Sequence, residues 1–292
     1  MTRTTPERPV DIEAMFPELA EYRRTTTRLH PRPGSPGRHE SSVAGPFLWP
    51  ADEPWPMCEA VHEKGHGVRD DEPIPLLAAA QLFTRDVPDL TGPEGRDLLQ
   101  VFWCPFEVHG PDRAMDVVLK WRRSQDVGDV LTDNPEPVVV GRAECVPNTC
   151  VLDPEQVVEH EWPELLSEDV QERIDVWEEE LMNAAAEEDA YELTYTGDLS
   201  IAPGWKVGGF ATWGLTGPAR IDCACGAPMR PLLTVTDREW DLGSLPWVPL
   251  EDQESIGVRR ANIPTGVYVG RGQMRIFTCP IDPTHPHRLN FQ

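Results

Sequence analysis

Cys223 and Cys225 stand one residue apart in IDCACGAPMRPLL (221–233). Roughly fifty residues later Cys279, Asp282, His285 and His287 follow in FTCPIDPTHPH (277–287). Two such clusters read as two knuckles closing over one ion, so the strands that carry them must end side by side. Three thiolates and an imidazole select tetrahedral zinc. The expected ligands are Cys223, Cys225, Cys279 and one of His285 or His287, with Asp282 where a zinc ribbon would often carry its second cysteine. The competing reading is three thiols buried as small hydrophobes. A second, weaker set is Cys58, His62, Cys104 and His109, spaced C-x3-H and C-x4-H. Four such ligands would leave no open coordination position, which argues for a structural metal rather than a catalytic one. Cys145 and Cys150 lie outside both sets and receive no role.

The formal charge of −24 disfavours phosphate backbones and anionic lipid as partners and leaves a basic protein as the expected one. Between residues 153 and 192 sixteen Asp and Glu face one Arg, which accounts for −15 of that charge. Within it Val170, Ile174, Trp177 and Leu181 recur at helical spacing, predicting an acidic helix docked by one narrow stripe. The start MTRTTPERPV has no apolar core and no apolar run reaches membrane-spanning length, so a soluble cytoplasmic protein without a membrane partner is expected. No G-x-S-x-G, Walker loop or G-x-G-x-x-G after a strand occurs, and a non-catalytic protein is the expectation, although HEKGH (62–66) has the letters of H-E-x-x-H.

Apart from that helix the chain reads as β-rich. Strands are expected at 74–83, 98–104, 115–123, 135–146, 191–197, 206–214, 231–236 and 272–280. The same features recur in order in both halves. VAGPFLW (43–49) matches VGGFATW (207–213), Cys58 matches Cys223, PLLAAA (75–80) matches PLLTVT (231–236), and QVFWCP (100–105) matches RIFTCP (275–280). The expected fold class is therefore α+β and β-rich, a tandem duplication of a β-sheet unit with an acidic helical insert between the copies. Its parts are an N-terminal helix and tail (1–27), a first repeat (28–150), the insert (151–195) and a second repeat with the zinc knuckle (196–292). Trp49 and Trp213 read chiefly as core anchors of each copy, with ligand stacking as the alternative.

At SSVAGPFLWPADEPWP, PIPLLAAAQLF, DLLQVFWCP, KVGGFATWG and CGAPMRPLLTV the chain resembles the YwqG-like family of bacterial proteins, in its actinobacterial form, over roughly residues 28–292. Pro46 stands where that family has the second glycine of a pair. The family is similar in turn to the programmed-cell-death-protein-two group, associated with escorting a newly made ribosomal protein. The resemblance implies a duplicated, β-rich α+β unit and no settled activity, and some bacterial members are suspected of belonging to toxin–immunity systems. The expected function is a non-catalytic, zinc-stabilised module that holds a basic or nascent chain. An immunity protein of a toxin system and a zinc-dependent hydrolase are the alternatives.

Overall fold

A computed structural model describes residues 2–60, 62, 72–107, 115–188, 191–214 and 216–292. The strands run in chain order β1 (Arg23–Arg28), β2 (Arg32–Pro33), β3 (Ser42–Val43), β4 (Met57–Cys58), β5 (Ile74–Pro75), β6 (Leu77–Phe83) and β7 (Leu98–Trp103). They continue as β8 (Val117–Arg122), β9 (Cys150–Val151), β10 (Glu155–His160), β11 (Lys206–Gly208), β12 (Arg230–Thr236), β13 (Gln273–Thr278) and β14 (Arg288–Phe291). Two α-helices, α1 (Ile12–Met15) and α2 (Glu168–Glu188), make the fold α+β. The sheets are antiparallel and six-stranded, in the orders β2-β9-β3-β6-β7-β8 and β10-β1-β11-β12-β13-β14, and β4 and β5 form a separate pair.

The two sheets share one core. Leu99, Val101 and Trp103 of β7 pack in the same cluster as Met274 and Ile276 of β13, Val207 of β11 and Trp205. The alternate residues of β7 face the other way, where Phe102 joins Phe47, Trp49 and Trp55 in a second cluster. Both faces of β7 are therefore covered, and its six residues are all buried.

The ladders of the two sheets run in step. Leu77 to Phe83 pairs against Trp103 to Leu98, and Arg230 to Thr236 against Thr278 to Gln273. Each carries a register shift at the same place, between Ala78 and Ala80 and between Pro231 and Leu233. This corrects the match of PLLAAA to PLLTVT. With QVFWCP set on RIFTCP, Pro231 occupies the place of Ala78, so the two PLL strings are three residues out of step. Similarly, Val43 pairs with Ala80 as Val207 pairs with Leu233, and both strands leave through two consecutive left-handed residues. These are Ala44 and Gly45 (φ 53° and 80°) and Gly208 and Gly209 (φ 76° and 67°). The residue that departs from a glycine pair is thus Ala44 rather than Pro46.

The segments 23–33 and 150–160 form one antiparallel ribbon that changes sheets midway. Arg23 faces His160 and Arg28 faces Glu155 in one sheet, while Arg32 faces Val151 and Pro33 faces Cys150 in the other. The bend falls at Leu29–Pro31, where the Asp153 N–H donates to the Leu29 carbonyl and His30 adopts φ 44°. β1, most of which falls within the expected N-terminal helix and tail (1–27), is an inner strand, second in its sheet. β10, within the acidic stretch, is the edge of its sheet.

Two expected strands do not form. Residues 135–146 carry Pro135 and Pro137, which lack the ladder donor, and outside the short turn Ala143–Cys145 they run irregularly. Residues 191–197 instead lead into a helical turn, Tyr195–Ser200, capped by the Thr194 hydroxyl accepting from the Gly197 N–H. Helix α2 packs through Val170, Ile174 and Trp177 of the expected stripe, while Leu181 lies outside their cluster. Val170 and Ile174 are buried against Ile12, Phe16, Leu19 and Tyr195, and Trp177 meets Phe16 edge to face at 6.0 Å.

Candidate metal centres

The second cluster is built by a tight hairpin and a strand end. Ile221 accepts the Met229 N–H, the Cys223 N–H donates to the Ala227 carbonyl, and the Gly226 N–H returns to the Cys223 carbonyl at 2.9 Å, with Gly226 at φ 86°. That turn places Cys223 and Cys225 together, and Cys279 arrives directly after β13. The chain then folds back through an Asp282 carbonyl to His285 N–H bond of 3.1 Å. One ligand atom from each of Cys223, Cys225, Cys279 and His285 lies within 4.8 Å of all the others. Cys223 Sγ is 3.3 Å from His285 Nδ1, and Cys225 Sγ is 3.6 Å from Cys279 Sγ.

The backbone favours thiolates at this place. The Asp282 N–H, then the His285 ring and the Ile281 N–H, hold the Cys279 thiol down at about 6 against the opposing effect of burial. At Cys223 the Cys225 N–H acts in the same sense, but burial and the neighbouring thiols outweigh it and the pKa is raised. His287 is not in the cluster: its ring donates to the Val117 backbone of β8, and burial lowers its pKa. Asp282 lies 3.6 Å from His285 Nε2 and accepts from the Thr284 N–H and hydroxyl, so it orients the ring from outside the thiol set.

In the first half Cys58, His62 and Cys104 gather in the same way, all buried. His62 Nε2 is 3.2 Å from Cys104 Sγ, and its ring lies 4.4 Å from that of Phe106. The contact with Cys58 and then burial raise the Cys104 pKa, while the Phe106 N–H works against them. His109 lies outside the described residues. The two clusters draw their described imidazoles from different places, His62 following the first cysteine and His285 following the last.

Each cluster rests on a matching aromatic layer: Trp49 and Phe102 beneath Cys58 and Cys104, Trp213 and Phe277 beneath Cys223 and Cys279. Trp49 is wholly buried and its Nε1 donates to the Glu53 carbonyl at 2.9 Å, while Trp213 is 5% exposed. Both tryptophans are buried in the core of their half. Cys145 and Cys150 sit in the inter-sheet core, where burial raises both thiols to about 12.

Sequence reasoning missed a buried polar row on the outer face of the second sheet. Glu155, Arg28, Lys206, Thr234, Arg275 and Asn290 face one another across its six strands. Lys206 pairs with the fully buried Glu159, whose carboxylate also accepts the Ala202 and Phe210 N–H groups. The first-sheet positions matching Lys206, Thr234 and Arg275 are Ser42, Gln81 and Gln100, which are neutral, and Lys120 stands where the second sheet has Asn290. Charged residues at alternate strand positions ordinarily mark a solvated face, which is why the row went unread. No family model and no curated protein matches the chain.

Proposed function

We propose that this chain is a zinc-stabilised, non-catalytic protein-binding module of YwqG-like type, acting in the cytoplasm on a basic or nascent partner chain. The observation that carries it is the gathering of Cys223, Cys225, Cys279 and His285 within 4.8 Å, a set that fills a tetrahedral shell. A filled shell anchors structure and leaves no position for a substrate. Zinc also fits the donors, three sulfurs and an imidazole nitrogen. Cys58, His62 and Cys104 form a second cluster with three described ligands, buried among Trp49, Trp55 and Phe106.

The equal ladders, the shared register shift and the paired aromatic layers support descent of the two halves from one duplicated unit, with helix α2 as the later insertion. The partner's basic character follows from 50 acidic against 26 basic residues, whose field draws a cationic chain from a distance.

Two measurements on the purified full chain test the proposal. Metal analysis should find at least one zinc per chain, and Cys279→Ser should lower both zinc content and stability, since structural zinc supplies about 10–16 kcal/mol in small peptides. Well under one zinc per chain would overturn the metal assignment. Affinity capture from the source cell should recover a basic protein at low salt that is lost at high salt. Capture of none at either salt would overturn the binding role, and a toxin encoded beside this chain and captured by it would favour the immunity reading.

A further inference from the structure

The cleft where the two halves meet carries two guanidinium groups that have no hydrogen-bond partner among the described residues. It encloses about 650 Å³ between the β6–β7 loop on one side and β1, β11, β12 and the Cys279 turn on the other. Arg24 and Arg230 line it, and among the described residues neither guanidinium has a hydrogen-bond or ion-pair partner. That is unusual in a chain with 50 carboxylates. The Arg24 guanidinium carbon instead lies over the Phe210 ring, 4.4 Å from its centroid. Burial, and then the charge of Arg230, lower its pKa, so the two cations feel one another across the cleft.

The acidic groups nearby are already engaged. Asp89, the carboxylate in the lining, accepts from the Thr25 and Thr27 hydroxyls and from Gln156. Glu159 is committed to Lys206, and Glu161 accepts the Trp162 N–H at 3.0 Å. The left-handed Gly208–Gly209 pair shapes the floor: a Cβ on Gly208 would meet the Asp89 Cβ at 3.1 Å, so glycine there lets the loop approach the sheet.

We propose that this cleft binds a phosphate monoester, its phosphoryl group held between Arg24 and Arg230 and the remainder of the ligand lying toward Pro280 and Pro283. Planar forked donors match phosphoryl oxygens two at a time, and two cations suit a dianion better than a single carboxylate. The volume exceeds what a phosphate alone fills, which is why an ester rather than the free ion is assigned. Cys279 of the second metal cluster also lines the cleft, so the zinc-loaded chain is the form to test, and the site does not rest on the basic partner.

Calorimetric titration of the full zinc-loaded chain with inorganic phosphate, and separately with acetate, tests it. Phosphate should bind saturably at one site per chain and acetate at least about tenfold more weakly. Arg230→Gln, at an exposed position that the fold does not depend on, should weaken phosphate about tenfold, and Arg24→Gln likewise. Arg96→Gln, outside the cleft, should leave the titration unchanged. Absence of saturable binding, acetate binding as tight as phosphate, or an Arg230→Gln titration identical to that of the parent would each overturn the proposal.

Discussion

A Cβ on Gly209 would stand 2.1 Å from Glu159 Oε2, so the second glycine of VGGFATW keeps room for a buried carboxylate. That carboxylate neutralises Lys206 in a layer where both side chains are 2% exposed or less. Gly209→Ala therefore has two costs, a left-handed backbone and a displaced ion pair. Breaking a buried pair costs about 3–5 kcal/mol, and equilibrium denaturation of Gly209→Ala should show a loss of at least that order. His30 gives the pH dependence. Burial, and then the Arg28 charge, hold its imidazole down at about 4, and its ring is 3.3 Å from Glu155. Below the ordinary histidine value of about 6.5 the unfolded chain takes up a proton that the folded chain refuses until about pH 4. Stability is thus lost as pH falls from 6.5 towards 4, by roughly 3 kcal/mol from this residue. Burial alone would raise Glu155, but hydrogen bonds from His30 and Thr5 outweigh it and hold it at about 2, extending the loss to lower pH. Asparagine tolerates the left-handed backbone at this position. Denaturation midpoints of His30→Asn across this range should fall less steeply than those of the parent.

Helix α2 shows how far a periodic pattern carries at the scale of an element. Its acidic faces and its single stripe were readable because one face of a helix repeats every three or four residues, and Val170 and Ile174 are indeed the buried positions. Ile174→Ala should cost about 2–5 kcal/mol, seen as lost helical signal in denaturation, with zinc content unchanged because neither metal cluster touches the helix. β1 is the opposite case. RRTTTR has no apolar alternation, yet it lies inside a sheet because the partners of its charges come from elsewhere in the chain. Arg28 reaches the Trp247 carbonyl, and Thr26 reaches that of Val207. Local pattern cannot reveal a polar strand whose hydrogen bonds are made across 181 to 219 residues.

At the scale of the whole molecule the charge excess opposes compaction. With 50 acidic and 26 basic residues, self-repulsion should weaken as salt is added. The screening length falls from about 30 Å at 0.01 M to about 8 Å at 0.15 M. Thermal unfolding followed across that range should show a rising midpoint; a midpoint that falls would mean that attractive pairs dominate the surface. The ribbon of residues 23–33 and 150–160 binds the two sheets into one body by giving each of them a piece of both segments. The sequence by itself determined the cysteines of both clusters, the strands at 77–83, 98–103, 230–236 and 273–278, and the stripe of α2, because spacing and periodicity are local properties. Tertiary structure alone decided that His285 joins the thiols while His287 turns to the Val117 backbone, two residues apart with opposite fates. It alone decided the exchange of strands between sheets and the burial of Glu159 against Lys206. Each of these depends on which distant groups meet, and a side chain's partner across a sheet leaves no mark on the residues beside it in the chain.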